Sequence, residues 1–192
     1  MRELNRVLLA TMALLLGGNI ALAQGTGGSK TYNKDGLVFE YPSNWVLQDQ
    51  SNADAQQFAL GRPDTDGQIR IFVFRPLVKT ADNAAEAKRV LVDPYVNATA
   101  KQFEQMGAKP ERASAKTEIG SQQAEGVKLL ARLSGEPGAA EIYWNIIGQR
   151  LVVLTVFGPE RARKQFTGAW DSVRNSLKIE EVKPAATPTP KD

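Results

Sequence analysis

The 192-residue chain contains no histidine and no cysteine. Those two absences remove much of enzyme chemistry, because the Ser-His-Asp triad, the Cys-His dyad, imidazole-ligated zinc and thiol redox sites each need a side chain that is missing. Without cysteine there is no disulfide, so a folded domain must rest on its hydrophobic core whatever the redox state around it. No Gly-x-Ser-x-Gly elbow and no Ser-x-x-Lys pair occurs, which leaves a serine hydrolase without its usual signatures. A large excess of one charge is lacking too: 24 Lys and Arg stand against 21 Asp and Glu. Nucleic-acid binding draws on a concentrated basic surface, so that class is not expected. An enzyme using carboxylates alone stays open, but the expectation is a non-enzymatic protein.

Long hydrophobic runs are scarce as well. Val7 to Leu16 is almost wholly apolar but is interrupted by Gly17, Gly18 and Asn19, well short of the ~20 residues a membrane helix requires. Arg2 and Arg6 precede it and Ala21-Leu22-Ala23 follows. Charge, apolar stretch and small residues in that order read as a cleavable secretory signal peptide over residues 1–23. No cysteine follows to take a lipid, so the expected product is exported, periplasmic or secreted, with no membrane anchor after cleavage. Residues 24–30, rich in Gly and Ser, are expected to be a flexible leader. Residues 183–192 alternate Pro with small side chains and are expected to be a disordered tail. The folded unit is then one domain over residues 31–182, a length at which ~70% of the unfolded surface can be buried.

Within it, Leu37, Phe39 and Tyr41 alternate with Val38 and Glu40, as in a half-buried strand that ends at Pro42-Ser43-Asn44. Trp45 to Gln48 reads as the next strand. Gln57 to Leu60 and Gln68 to Phe74 flank a Gly-, Pro- and Asp-containing turn and form a hairpin. Asp82 to Gly107 has helical periodicity, with Asp82 or Asn83 placed to cap it, and Pro94 predicts two helices meeting near Asp93. Val127 to Leu133 and Glu141 to Ile146 alternate as strands of a meander. Leu151 to Phe157, Leu-Val-Val-Leu-Thr-Val-Phe, is apolar on both faces, so it requires cover on both and belongs at the centre of the sheet. A last helix from Pro159 carries Ala162, Phe166, Ala169, Trp170, Val173 and Leu177 on one stripe. The predicted fold is α/β (α+β): a six- or seven-stranded antiparallel sheet covered by helices on both faces.

Gly36-Leu37-Val38-Phe39-Glu40-Tyr41-Pro42-Ser43-Asn44-Trp45 resembles the opening signature of the PsbP-like and Mog-type superfamily. Phe166, Trp170, Val173, Ser176 and Leu177 resemble its closing helix. On that resemblance Tyr41, Pro42, Trp45 and Trp170 are the structural signature, and it implies an α/β/α sandwich over residues 35 to 181. Members of the superfamily include photosystem II accessory proteins of the thylakoid lumen, Ran-binding import factors and exported bacterial proteins. A signal peptide excludes the nuclear branch. The resemblance therefore implies a binding or accessory protein acting on another envelope or lumenal protein. Its alternative is a calcium-binding photosystem II accessory protein of the thylakoid lumen, if the source is photosynthetic. The absence of His rules out carrying over an imidazole metal site.

Candidate binding groups are few. Asp64 and Asp66 place two carboxylates in one turn that could face calcium, though a dedicated loop supplies ~6–8 oxygens. Arg161, Arg163 and Lys164 crowd the start of the last helix, where positive charge opposes the helix dipole and an anionic partner would relieve it. Trp45, Trp144 and Trp170 read as core, with a ligand-stacking platform as the alternative. Gly25 to Thr31 resembles a phosphate loop except that Ser29 stands where glycine should precede the lysine, and the Asn97-Ala98-Thr99 acceptor pattern falls within a helix.

Overall fold

The computed structural model describes residues 28–133 and 135–180. The expected signal peptide, residues 24–27 of the leader and the tail lie outside them.

Seven strands form one antiparallel sheet in the order β3-β4-β5-β9-β8-β7-β6. They are β3 (Val46–Asp49), β4 (Ala55–Gly61), β5 (Gln68–Leu77), β6 (Glu111–Ile119), β7 (Gln122–Leu133), β8 (Glu136–Ile147) and β9 (Arg150–Pro159). A second, three-stranded sheet runs β1-β2-β10 from β1 (Ser29–Lys34), β2 (Leu37–Pro42) and β10 (Lys178–Ile179). The helices are α1 (Ala81–Ala87), α2 (Asp93–Gln105) and α3 (Arg163–Ser176).

The predicted central strand is the fourth of seven, and Leu151 to Val156 are buried without a break. Its alternate residues serve different cores. Val152, Leu154 and Val156 pack with Ile69, Ile71, Trp170 and Val173 beneath α3, whereas Leu151 and Val153 pack with Val92, Val96 and Phe103 beneath α2. The sheet is thus covered by helix on both faces. The three-stranded sheet shares the α3 side and adds Leu37 and Phe39 to that core. This small sheet was not anticipated: the Leu37 strand belongs to it and not to the main sheet, and Ser29 and Lys30, expected in the leader, pair with Pro42 and Tyr41.

The helical segment departs from expectation at its cap and at the junction between its helices. Thr80, not Asp82 or Asn83, caps α1, its hydroxyl accepting from the Asn83 N–H at 3.2 Å. A second helix does begin at Asp93, with Pro94 in its first turn, but the two helices do not meet directly. A π-helical turn, Lys88–Val92, joins them, with the Asp93 N–H donating to the Lys88 carbonyl and helical backbone on either side. Pro94 has no N–H to give to a regular ladder, and a widened turn is the ordinary way to take up such a gap. The last helix begins with a 3-10 turn, Glu160–Ala162, after an extended Pro159. Its predicted stripe, Ala162, Phe166, Ala169, Trp170, Val173 and Leu177, is buried as a set.

Two glycines fix close approaches. A Cβ on Gly126 would lie 2.3 Å from the Tyr143 ring, so β7 can pass beneath that ring only without a side chain there. Gly120, at φ 56°, sits against the C-terminus of α3, donating its N–H to the Arg174 carbonyl at 2.7 Å. A β-bulge in β5 between Val73 and Leu77 is filled from β9 by buried Arg150, which donates to the Phe74 carbonyl at 3.1 Å and to Gln56 Oε1 at 2.7 Å.

Candidate functional site

Strands β5, β9 and β8 form the floor of a pocket of about 300 Å³ on the α2 side of the sheet, and α2 forms its roof. Gly138, Ala140 and Gly158 line the pocket from β8 and β9, and of these Ala140 faces the α2-side core, where its small side chain leaves room. Phe103, Met106, Leu133 and Phe157 supply apolar wall. At 49% exposure, Met106 marks the open side.

Three polar groups converge on the interior. Thr155 breaks the apolar run of β9, and strand alternation aims it to the same face as Leu151 and Val153, toward α2. It is 1% exposed, and its Oγ1 makes no hydrogen bond of ordinary geometry among the described residues, with the Tyr95 hydroxyl beside it. Arg70 lies beside it across the β5–β9 ladder, with its guanidinium 5.2 Å from the centroid of Phe157. Tyr95 descends from α2 and packs edge-on against Phe72, ring centroids 5.2 Å apart. Burial pushes the Tyr95 hydroxyl's pKa up, opposed by the charge of Arg70 and by hydrogen bonding from the neighbouring Thr155 and Arg70, so the phenol is protonated at neutral pH.

The rim is ionic. Arg161 spans it, ion-paired with Asp66 of the β4–β5 turn and, through Nε, with Glu136 Oε1 at 2.5 Å. The sequence suggests separate roles for Arg161 and Asp66, and the fold brings them together. Asp64 faces away into a two-pronged contact with Arg62 at 2.5 Å, which holds its carboxyl below its ordinary pKa. Both carboxylates of the candidate calcium turn therefore meet an arginine, and among the described residues no three His, Cys, Asp or Glu side chains gather as a metal site.

Arg163 turns to the opposite face of the sheet, where it meets buried Glu141. Lys164 is exposed on α3 and joins neither group. The three tryptophans form no platform: Trp45 and Trp170 lie in the α3-side core, and Trp144 on the α2 side under Lys88, 5.4 Å from its ring centroid. Tyr41 is half-buried beside Phe39, and the Pro42 carbonyl accepts from the Trp45 N–H at 3.0 Å, closing the turn that seats that indole.

No family model matches the sequence, and no curated protein does. Solved structures do. A Bacteroides thetaiotaomicron protein aligns at a TM-score of 0.52 and 14% identity over 81% of this chain and 49% of its own, so the chain spans about half its length. Cyanobacterial PsbP from Synechocystis aligns at 0.49 and 16% over 84% of this chain and 98% of its own. Mycobacterium tuberculosis LpqN, a protein involved in cell envelope biogenesis, aligns at 0.47 and 10% over 82% and 93%. At such identities the likeness is one of fold. Among the described residues no helix is long and apolar enough to cross a membrane.

The pocket escapes sequence reading because its floor comes from three strands and its defining residues are small. One local signal exists in Thr155, a hydroxyl on a strand otherwise apolar from Leu151 to Phe157.

Proposed function

We propose that the protein is an exported, non-enzymatic binding protein that holds a small, largely apolar ligand in the pocket between α2 and the sheet. The observation that carries this is the mostly apolar pocket on which Arg70, Tyr95 and Thr155 converge, with a Thr155 hydroxyl that lacks a well-formed hydrogen bond among the described residues. Leaving such a group buried costs about 1–3 kcal/mol, a sizeable fraction of the ~5–15 kcal/mol by which a domain is stable. A ligand atom seated against it removes that cost. The volume is at the small end of the ~300–1,000 Å³ range of small-molecule sites, and a mostly apolar lining with a few convergent polar groups is their usual chemistry. Binding fits better than catalysis because the rim carboxylates, Asp66 and Glu136, are engaged by Arg161. That engagement also leaves the Arg161 surface less to offer another envelope protein than the pocket offers a small molecule. Export rests on the charge and hydropathy order of residues 1–23.

Titrating residues 24–192 with prodan, a neutral naphthalene dye, tests the reading. Saturable binding at one site is expected, and Met106→Trp, which fills the open side from an exposed position, should weaken it about tenfold with little change in the unfolding midpoint. Fluorescence that never saturates, or that Met106→Trp leaves alone, would sink it.

A further inference from the structure

The pocket holds a cation that nothing else in the described fold neutralises. Arg70 forms no ion pair among the described residues, and its Nε donates to Gln68 Oε1 at 2.9 Å, a neutral partner. Its guanidinium lies over the Phe157 ring, at the edge of an apolar space. Electrostatic attraction strengthens as water is excluded, and the fork of an arginine matches a carboxylate in two parallel hydrogen bonds.

We propose that the ligand is an amphipathic monocarboxylic acid whose carboxylate is received by Arg70, with the Thr155 hydroxyl as a further donor and the apolar part against Phe103, Leu133 and Phe157. This rests on the pocket reading above. Charge count selects the anion: one guanidinium and two neutral hydroxyls, Thr155 and Tyr95, compensate a single negative charge, whereas a phosphate ester would leave a second one in apolar surroundings. Asp66 and Glu136 share Arg161, which leaves the rim one net negative charge, exposed to water and salt that screen it. Tyr95, kept protonated by burial, adds a donor without adding charge.

Competition against prodan with octanoate, 1-octanol and octyl phosphate separates the chemistry of the head from that of the tail. Octanoate is expected to displace the dye at about tenfold lower concentration than octanol or octyl phosphate, the size of one charge-assisted hydrogen bond. Arg70→Met should abolish the advantage over octanol while leaving octanol unchanged; Arg70→Lys should retain part of it. Thr155→Val should weaken octanoate severalfold and octanol little, which decides the matter should Arg70→Met fail to fold by circular dichroism. Equal displacement by octanol and octanoate overturns the carboxylate while the apolar pocket stands. An octanoate advantage that survives Arg70→Met overturns the assignment to Arg70, and preference for octyl phosphate overturns the single charge. Saturable prodan binding that no octyl compound displaces overturns the inference alone; absence of saturable prodan binding overturns the pocket itself.

Discussion

Arg163 of α3 is ion-paired with Glu141 of β8 at 3.0 Å, joining the helix to the sheet across a carboxylate that is 7% exposed. Tyr143 donates to the same carboxylate at 2.7 Å, and Lys128 Nζ lies 3.2 Å away. Burial alone would raise the pKa of Glu141, but the hydrogen bonds from Tyr143 and Lys128 and the charge of Arg163 outweigh it and hold the carboxyl below its ordinary value. A carboxyl shifted down on folding stabilises the native state above its unfolded pKa, ~4.3, and that stability is lost as pH falls through the lower folded value. Denaturant midpoints should therefore drop as pH falls below about 4.5, and drop less in Glu141→Gln. At pH 7 that substitution should cost about 1–3 kcal/mol. Parallel pH profiles for the two proteins would remove Glu141 from the account.

Thr155→Val should stabilise the ligand-free protein, an unusual outcome for a change in the core. Valine keeps the branched shape that suits a strand and removes the hydroxyl that lacks a well-formed hydrogen bond. The expected gain is about 1 kcal/mol, read as a higher urea midpoint at unchanged slope. A lower midpoint would mean that the hydroxyl has a partner in solution and that the site lacks one of its supports.

Leu154→Ala should cost about 2–5 kcal/mol, because the side chain is wholly enclosed between β9 and the α3-side core and β9 has a neighbour strand on each edge to hold the gap open. A loss under about 1 kcal/mol in chemical denaturation would contradict the packing on that face.

Millimolar calcium should leave the melting temperature unchanged, since Asp64 and Asp66 each engage an arginine. Asp66→Asn should cost no more than about 1 kcal/mol, the pair being exposed. A calcium-dependent rise in melting temperature that Asp66→Asn removes would restore the two carboxylates as ligands.

How far the fold could be read from sequence depended on how much of each element is buried. Leu151 to Phe157 declared its central place because both faces are apolar, and the α3 stripe from Ala162 to Leu177 declared its docking face. Strand β6 declared nothing: Glu111 to Glu118 is mostly charged or small and largely exposed, the composition of a protected edge, and pairing with β7 alone makes it a strand. Its one clue is the Gly120-Ser121 turn, both residues at positive φ, as a two-residue hairpin demands. The clustering of positive charge at the start of α3 was legible, but its use was not: Arg161 and Arg163 answer carboxylates that lie far off in sequence, Asp66, Glu136 and Glu141. Those contacts follow from tertiary register, which no local pattern carries.

The pairing of β5 with β9 places Gln68 opposite Phe157, so the midline of the sheet is a seam between the early and late parts of the polypeptide. Nascent chain emerging from the ribosome can close the β4–β5 hairpin by itself, yet it cannot seal that seam until the last strands have been synthesised. Such distant closure makes for slow acquisition of the native state, and until then β5 presents an unpaired, strongly apolar edge of the kind that chaperones shield and that, unshielded, drives aggregation.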